Sequence, residues 1–424
     1  MELTPPRGTA DLLPPRSEAM LGLYEEAHRA ARLWGFRYVE TPTFEHTELF
    51  SRTSGSTSDV VTKEMYTFED KGGRSLTLRP EQTAGVVRAY LEHAHDLPVP
   101  FKAYYIGTMF RHGRPQAGRL REFRQWNVEA IAVPSPGADA EVISLADGYL
   151  RARGLRRTTL HLNSIGDPVC RPSYRVLLIA HLEPHVDELD EDCRTRLHVN
   201  PLRILDCKVD GSKPFVQDAP LISDHLCDAC AGHFAAVRSA LEHAGVAYEH
   251  DPRLVRGLDY YTRTAFEFVS SALSSVQAAT ICAGGRYDGL AEELGGPPTP
   301  GVGFALGLDR VLLAMEKEGA PTPPTRGPVC FVVTLGPETS AAGADLVSEL
   351  RTAGLAAAAP YEERSLKAQL KMADRAGAEF VAILGAKELA DGVVTLRRLV
   401  DGVQKTVPAG DVVSWLTRLD GWTE

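Results

Sequence analysis

Three arginines carry the clearest chemical signal in the sequence. Arg111 directly follows an apolar run, Arg310 lies in GVGFALGLDRVLLAM, which is apolar on nearly every side, and Arg256 precedes two tyrosines in LVRGLDYYTRTAFEF. A guanidinium in such surroundings is partly buried, and a carboxylate or phosphate offsets its desolvation. We therefore expect an anionic ligand. A structural salt bridge at Arg310 and a pair between Arg256 and Asp259 are the alternatives.

Phosphate-binding loops of the common types are missing from the sequence. The chain has no GxxxxGK[ST] motif, and glycines at 301, 303 and 307 do not satisfy GxGxxG. A dinucleotide-binding fold is therefore rejected, and arginines would hold any bound phosphate.

The stretch from Lys102 to Glu129 predicts a β-hairpin with a basic loop. Apolar and aromatic residues flank Pro115 and Gly118, which interrupt the strand pattern. Six Lys or Arg accompany a single acidic residue between positions 102 and 124, although the whole chain has a formal net charge of -10. We expect an anion at this loop. A solvated basic edge that discourages strand pairing is the alternative.

Two further segments are candidates for a binding site. RPEQT ends the predicted hairpin MYTFEDKGGRSLTL and opens a helix, so that Glu81 and Thr83 either cap that helix or reach the rim of a pocket. Tyr260 and Tyr261 are either sheet residues on opposite faces or phenols that hold a small polar ligand beside Arg256.

Length and composition describe an ordinary globular chain. It has 424 residues, of which 44% are hydrophobic and 24% charged, and this length suggests two or three domains. Prolines and charges occupy the N-terminal segment, where a signal peptide would be apolar, and no run of 18 apolar residues occurs. We expect a cytoplasmic protein without a membrane span.

Periodicity predicts the elements of the N-terminal half. Residues 17–35 form an amphipathic helix with Ser17 as N-cap, and residues 36–44 form a strand interrupted at Pro42. A further buried helix begins near Ala305.

The C-terminal segment has a pattern of its own. It follows a Pro-rich linker at 316–328 and alternates strand, helix, strand, helix, strand. Lys367, Lys371 and Arg375 recur at four-residue spacing, which indicates either a solvated helix face or a contact with RNA.

The region from about 168 to 247 is predicted to be an inserted, mostly helical module. Four of its cysteines, which include one Cys-x-x-Cys pair, are candidates for a tetrahedral zinc site: Cys193, Cys207, Cys227 and Cys230. Small buried cysteines are the alternative. The chain has seven cysteines, an odd number that fits reduced thiols better than a disulfide framework.

Several segments resemble, in order, the motifs of the histidyl-tRNA synthetases, which are class II aminoacyl-tRNA synthetases. They are PPRGTADLLPP, TLRPEQT, the FR...E hairpin, LVRGLDYYTRTAFEF, AGGRYDGL, GVGFALGLDR and RSLKAQLKMAD. The resemblance implies an α+β fold. Its class II catalytic domain (1–320) has an antiparallel sheet and the helical insertion, and a C-terminal α/β anticodon-binding domain (329–424) follows the linker. It also implies a homodimer.

The implied reaction has two steps. L-histidine attacks the α-phosphate of ATP to give histidyl-adenylate and pyrophosphate, and the histidyl group then passes to the 3′ end of tRNA(His). Negative charge accumulates at phosphorus in the first step, so that fixed cations matter more than acid or base groups. Mg²⁺ would share that charge.

The resemblance also implies roles for individual residues. Arg111 would hold the α-phosphate and the substrate carboxylate, Arg256 would stabilise the transferring phosphoryl group, and Arg310 would clamp the γ-phosphate. The residues implied in histidine binding are Glu81, Thr83, Arg111, Gln125, Glu129, Arg256, Tyr260, Tyr261 and Tyr287. Those implied at ATP are Arg111, Arg119, Arg121 and Arg310, and those implied at tRNA are Arg114, Lys367, Lys371 and Arg375.

Two positions depart from the family pattern. Gly113 follows His112 where the hairpin motif usually reads FR-x-E, and Gln82 stands where the family often has Gly. One alternative function is the synthetase-like regulatory subunit of histidine biosynthesis, which binds histidine without aminoacylation. Intact Arg256 and the C-terminal domain argue against it. A class II enzyme for another amino acid would lack LVRGLDYY.

Overall fold

The chain divides into two units, residues 1–323 and 324–424. The computed structural model describes residues 3–53, 63–258, 260–274, 279–322 and 327–418. The strands of the first unit are β1 (Arg37–Tyr38), β2 (Phe44–His46), β3 (Tyr66–Glu69), β4 (Ser75–Leu78), β5 (Phe101–Phe110), β6 (Glu122–Ile131), β7 (Thr158–Ser164), β8 (Glu249–His250), β9 (Thr262–Ser270), β10 (Thr280–Arg286) and β11 (Gly301–Gly307). Its helices are α1 (Arg16–Leu33), α2 (Thr47–Thr53), α3 (Thr83–His93), α4 (Pro136–Ala152), α5 (Arg171–Leu182), α6 (Glu191–Val199), α7 (Leu202–Leu205), α8 (Pro214–Gln217), α9 (Asp228–His243), α10 (Leu290–Glu293) and α11 (Leu308–Glu318).

An eight-stranded sheet organises the first unit, in the order β1-β5-β6-β11-β10-β9-β7-β8. Its central strands pair antiparallel, as expected. The two-residue strands β1 and β8 add parallel pairs at the edges, which the sequence did not predict. A smaller sheet has the order β2-β4-β3 and includes the predicted hairpin of β3 and β4.

The predicted hairpin of β5 and β6 lies near the middle of the large sheet. Its register runs from Phe101 opposite Ile131 to Phe110 opposite Glu122. Successive side chains of a strand point to opposite faces. Trp126 therefore packs in the core with residues of α1, α4 and α11, while its neighbours on β6 point to the other face. That face carries the cavity described below.

Three expected element boundaries were wrong. Helix α1 begins at Arg16, so that Ser17 is not its N-cap, because Pro15 already has helical dihedral angles. The strand expected over 36–44 is two short strands in different sheets, and Pro42 lies in the gap between them. The helix near Ala305 begins only at Leu308, because β11 pairs with β6 as far as Gly307.

The second unit contains a five-stranded sheet in the order β13-β12-β14-β15-β16. Its strands are β12 (Cys330–Thr334), β13 (Ala357–Ala358), β14 (Phe380–Leu384), β15 (Val393–Arg398) and β16 (Gln404–Pro408), and its helices are α12 (Ser340–Thr352), α13 (Leu366–Arg375), α14 (Ala386–Asp391) and α15 (Val412–Arg418). The expected alternation from β12 to β14 is confirmed, whereas the antiparallel hairpin β15–β16 was not predicted. Across the described residues of both units, the helices are too short or too polar to span a membrane.

Candidate active site

A cavity of about 450 Å³ opens on the face of β6 opposite the core helices. Its lining includes many of the residues that the sequence predicts for a site: Glu81, Thr83, Arg111, Arg119, Gln125, Arg256, Tyr260, Tyr261 and Arg310. Glu129 contacts the lining residue Thr83, and Tyr287 in turn contacts Glu129. Residues from distant parts of the chain therefore meet in one place.

Glu81 lines the acidic side of the cavity, and the buried carboxyl group of Glu129 is in contact with the lining residue Thr83. Glu81 accepts hydrogen bonds from the backbone N–H groups of Thr83 (2.7 Å) and Ala84 (3.2 Å), so it caps α3 as well as lining the cavity. Glu129 accepts from the Thr83 hydroxyl at 2.7 Å and from the Tyr287 hydroxyl at 2.6 Å. The two interpretations offered for Glu81, as a helix cap and as a pocket residue, are thus compatible.

Burial controls the protonation of both carboxylates. Desolvation raises the pKa of Glu81, although two backbone hydrogen bonds oppose the change. For Glu129, which is 1% exposed, desolvation outweighs the bonds from Tyr287 and Thr83 and raises the pKa to about 8. A cationic ligand would therefore find a carboxyl that ionises on binding.

A glycine makes room for Glu129. A Cβ atom on Gly303, the residue opposite Glu129 on β11, would lie 1.9 Å from its Oε2 atom and 2.4 Å from the Val128 carbonyl oxygen. Neither a carboxylate held by two hydrogen bonds nor a strand backbone can move away easily. The second glycine of GVGFALG is thus explained by close approach, and not by phosphate binding.

Arginines form the cationic side of the cavity. Arg111 donates to the Pro80 carbonyl at 2.8 Å and lies over the Phe123 ring, and Arg310 donates to the carbonyls of Gly118 (2.9 Å) and Thr280 (2.6 Å). Within the described part of the chain, neither arginine forms an ion pair. The salt bridge offered as the alternative for Arg310 is therefore wrong for these residues.

Repulsion between the positive charges of neighbouring arginines favours the binding of an anion on this side of the cavity. Burial, together with the charges of Arg111 and Arg119, lowers the pKa of Arg310 to about 10. Arg119 itself is paired with Glu64. A phosphate group between these cations would relieve both desolvation and repulsion.

Arg256 is held differently, between a carboxylate and a phenol. It is paired with Glu267, and its guanidinium lies 5.3 Å from the centre of the Tyr261 ring. Burial opposes its charge, but Glu267 and Tyr261 raise its pKa above the ordinary value. Asp259, its alternative partner, lies outside the described residues.

Tyr260 and Tyr261 do not occupy opposite faces of a strand. Both precede β9, their ring centres are 4.7 Å apart, and both line the cavity. The interpretation of these tyrosines as ordinary sheet residues is wrong, because the chain reaches the sheet only at Thr262.

Unpaired polar atoms point to a polar ligand. Among the described residues, Gln82 Oε1, Gln125 Oε1 and Asn127 Nδ2 are buried without a hydrogen-bond partner, and all three side chains line the cavity. Such atoms are costly unless a ligand or water satisfies them. The cavity is thus prepared for hydrogen-bonding groups as well as for charges.

Comparisons with known proteins identify the family of the chain. A family model described as histidyl-tRNA synthetase matches residues 8–166 and 188–311, and one described as anticodon binding domain matches residues 329–419. The chain is 49% identical to the histidine–tRNA ligase of Moorella thermoacetica, over 98% of this chain and 99% of that protein. The chain belongs to the histidyl-tRNA synthetase family. The resemblance inferred from the sequence motifs is confirmed.

Solved structures give the same fold. The structure of apo histidyl-tRNA synthetase from S. aureus matches with a TM-score of 0.83 and 37% identity, covering 98% of this chain and all of that one (100%). A Bacillus halodurans structure described as an ATP phosphoribosyltransferase regulatory subunit/histidyl-tRNA synthetase matches with a TM-score of 0.63 and 21% identity, covering 91% of this chain and 99% of that one. The second likeness concerns the fold alone. The expected α+β class II architecture is confirmed.

Some predicted site residues of this histidyl-tRNA synthetase family member lie away from the cavity lining. Arg121 donates to the carbonyls of Gly113 (3.2 Å) and Arg7 (3.3 Å), and Arg114 is exposed on the loop. Arg121 thus braces the loop against the N-terminal segment.

The basic residues on α13 are a separate surface. Lys367, Lys371 and Arg375 are all exposed in the second unit. Their arrangement fits both a solvated face and an RNA contact.

The two departures from the family pattern have physical explanations. A Cβ atom on Gly113 would lie 3.0 Å from Arg119 Nε and 3.1 Å from Glu64 Oε1, so a side chain there would disturb that ion pair. Gln82 donates to the Thr41 hydroxyl at 2.8 Å, and its free oxygen adds an acceptor to the cavity. Both residues therefore take part in the geometry of the site.

A zinc site made of Cys193, Cys207, Cys227 and Cys230 is not formed. The structure places these cysteines in two separate groups: Asp167, Cys170, Cys227 and Cys230 in one, and Asp190, Cys193, Cys207 and Asp210 in the other. The expectation was wrong because it paired cysteines by proximity in sequence.

Several cavity residues were missed by sequence reasoning. They are Glu64, Gln82 as a ligand-facing amide, Asn127, Glu267 and Asp309. Asn127 had a usable signal, since Gln125, Asn127 and Glu129 alternate on β6 and must share one face. Asp309 accepts from the Arg124 backbone N–H at 2.6 Å and from its guanidinium at 3.1 Å, a pair that only the folded sheet brings together.

Proposed function

We propose that this protein is a histidine–tRNA ligase, which activates L-histidine with ATP and transfers it to tRNA(His). One observation carries the proposal: a single cavity has the buried carboxylate Glu81 on one side, with Glu129 in contact with the lining residue Thr83, and on the other side Arg111 and Arg310, which form no ion pair with any described residue. An amino acid and a nucleotide triphosphate need these two environments next to each other.

Histidine would bind on the acidic side. Glu81 and Glu129 would neutralise its ammonium group, while Gln125, Tyr260 and Tyr261 would hold the imidazole in one tautomer. An amino acid with an apolar side chain would leave the buried polar atoms unpaired, which costs far more than a poor fit of volume. Specificity would thus come from groups that need a partner. Tyr287 would position Glu129 through its 2.6 Å hydrogen bond.

Activation would occur between the two sides. The histidine carboxylate would attack the α-phosphorus, the bond to the bridging oxygen would break, and pyrophosphate would leave with that electron pair. Arg111 and Arg256 would stabilise the charge on the α-phosphate, and Arg310 with Arg119 would hold the outer phosphates. No proton has to move, so the residues act through position and charge.

The donor set of the cavity fits Mg²⁺. Glu64 and Glu267 line the cavity beside Arg119 and Arg256, and Mg²⁺ is usually held by one or two carboxylates together with substrate phosphates and water. These two residues would hold the ion, which would neutralise phosphate charge.

The second step needs tRNA, and the second unit matches an anticodon-binding family. We propose that Lys367, Lys371 and Arg375 contact RNA phosphates there, and that Arg114 on the hairpin loop contacts the acceptor end. A homodimer remains part of the proposal, as does the division of labour between the catalytic and anticodon-binding domains.

Pyrophosphate exchange tests the activation step. The purified protein should exchange labelled pyrophosphate into ATP only when L-histidine is present. Arg256→Ala should abolish exchange while histidine still binds in calorimetry, because the arginine acts on the phosphoryl group. Arg151→Ala, which removes an exposed arginine from α4, is the control and should retain exchange.

Two outcomes would contradict the proposal. The first is an unmodified protein that shows no histidine-dependent exchange. If that protein nevertheless bound histidine, the regulatory-subunit function would replace the ligase. The second is exchange supported equally well by another amino acid.

A further inference from the structure

Two short pairs of residues with metal-binding side chains meet in the inserted region. Asp167 and Cys170 share a D-x-x-C spacing just before α5, and Cys227 and Cys230 share a C-x-x-C spacing at the start of α9. One ligand atom from each of the four residues lies within 4.8 Å of all the others. The residues matched by the histidyl-tRNA synthetase family model omit 167–187, which contains the first pair.

The distances within this quartet are those of a metal centre. Cys170 Sγ is 3.8 Å from Cys230 Sγ and 3.6 Å from Asp167 Oδ1. A tetrahedral Zn²⁺ with ligands at about 2.3 Å (sulfur) and about 2.0 Å (oxygen) separates two sulfurs by about 3.8 Å and a sulfur from an oxygen by about 3.5 Å. A disulfide would instead bring two sulfurs to about 2.0 Å. The two separations at Cys170 thus match a tetrahedral site, and Cys227 Sγ lies 3.9 Å from Asp167 Oδ1, slightly farther than such a site requires.

The surroundings favour anionic sulfur. Cys170 and Cys227 occupy the N-cap positions of α5 and α9, where the helix dipole stabilises negative charge. The backbone N–H of Asp167 donates to Cys170 Sγ at 3.3 Å. Arg263 lies 3.3 Å from Asp167 Oδ2 and would offset part of the net negative charge of three thiolates and one carboxylate around a divalent ion. Such outer contacts orient metal ligands and tune their charge.

We propose that Asp167, Cys170, Cys227 and Cys230 bind a structural Zn²⁺ ion. Three thiolates select a borderline-soft ion, and four protein ligands leave no position for a substrate. Asp167, Cys170 and Cys230 are buried, so the site is closed.

The bound ion would fasten the inserted region to the catalytic sheet. It would join the first turns of α5 and α9, and Asp167 links it to Arg263 on β9. Two backbone hydrogen bonds of 2.7 Å already join Ile165 and Gly166 to Arg263. Arg263 follows the cavity tyrosines closely in sequence, but none of the four proposed ligands is among the residues that line the cavity.

A second quartet in the same region has two carboxylates and two thiols in place of one carboxylate and three thiols, and it provides a control variant for the metal analysis described below. Asp190, Cys193, Cys207 and Asp210 contain only two thiols, and Asp210 is already paired with Lys213 at 2.7 Å. Cys207 matches Cys227 in being partly exposed.

Metal analysis of the full-length protein tests the proposal without an activity assay. Wild-type protein, reduced and purified by gel filtration after incubation with Zn²⁺, should retain a zinc ion in the quartet. Cys227→Ser should lose that ion and Cys207→Ser should keep it. Serine is a favoured N-cap residue, so α9 should survive the substitution, which circular dichroism would check.

Cobalt gives a second measurement that needs no variant. Wild-type protein loaded with Co²⁺ should show the visible bands of a tetrahedral ion and a thiolate charge-transfer band, and added Zn²⁺ should remove both. A wild-type protein that retains neither metal would overturn the proposal. So would a Cys227→Ser variant that keeps as much zinc as the wild type, or equal zinc loss from both variants.

Discussion

Replacing Glu129 with glutamine should stabilise the protein and weaken its binding of histidine. The carboxyl group is buried and its pKa is raised to about 8, so ionisation costs stability whenever no cation is bound. The amide of Glu129→Gln is neutral at every pH. Its oxygen can still accept from Thr83, and its nitrogen can donate to the Tyr287 hydroxyl, so both hydrogen bonds survive.

The size of the effect follows from the pKa. With an ordinary value of 4.5 in the unfolded chain and about 8 in the folded one, the Glu129 carboxyl contributes stability that is complete below pH 4.5 and is lost as the pH rises to about 8. The slope reaches about 1.4 kcal/mol per pH unit between the two pKa values but is smaller near each of them, so the loss between pH 5 and pH 8 is about 3 kcal/mol and not the full product of slope and interval. For a unit of roughly 320 residues, whose unfolding entropy is about 0.7 kcal/mol/K, this corresponds to about 4 °C in Tm.

Thermal unfolding of the ligand-free protein across this pH range is the assay. The Tm of Glu129→Gln minus that of the wild type should grow by about 4 °C from pH 5 to pH 8. Glu25→Gln, which removes an exposed carboxylate from α1, gives the size of an ordinary surface effect. Parallel pH curves for the wild type and Glu129→Gln would refute the reasoning.

A histidine arm of the same experiment separates stability from function. Saturating L-histidine should raise the Tm of the wild type more at pH 8 than at pH 6, because its ammonium group pairs with the ionised carboxyl. Glu129→Gln should lose this extra gain. Equal gains for both proteins would mean that Glu129 does not meet the ammonium group.

Two further predictions concern close packing and RNA. Gly303→Ala should destabilise the protein by about 1–3 kcal/mol and raise the KM for histidine, because the added Cβ atom would lie 1.9 Å from Glu129 Oε2. Thermal unfolding and exchange assays measure the two effects, and Gly148→Ala, whose Cβ atom would meet nothing within 4 Å, is the control. Equal effects of the two substitutions would contradict the prediction. Lys367→Gln should weaken tRNA binding and reduce the salt dependence of log K by about one charge. The exposed Lys387→Gln should change neither quantity, and a Lys367→Gln variant that behaves like it would favour the solvated face.

The cavity residues that the sequence predicted are mainly charged side chains next to apolar segments, where a charge has to be buried. Arg111 and Arg310 stand next to apolar residues, which already implies burial and an anion, and the alternation along β6 places Gln125 with Glu129. The sequence did not predict the partners of the arginines. Glu267 pairs with Arg256 because the chain turns at Tyr260 and Tyr261 before β9 begins, and no periodic pattern reports such a turn.

The cysteines show why contacts between residues far apart in the chain could not be predicted from the sequence. Proximity in sequence favoured joining Cys193 and Cys207 to the CxxC pair, yet Cys230 lies 3.8 Å from Cys170, which is 60 residues away in the sequence. The sheet explains the difference. Strand β8 runs parallel to β7, so α9, which precedes β8, must run back along the sheet and begin near the end of β7. The pairing of β8 with β7 thereby brings the start of α9 close to the residues that follow β7. Strand β8 has only two residues, and a strand this short cannot be predicted from the alternation of apolar and polar residues.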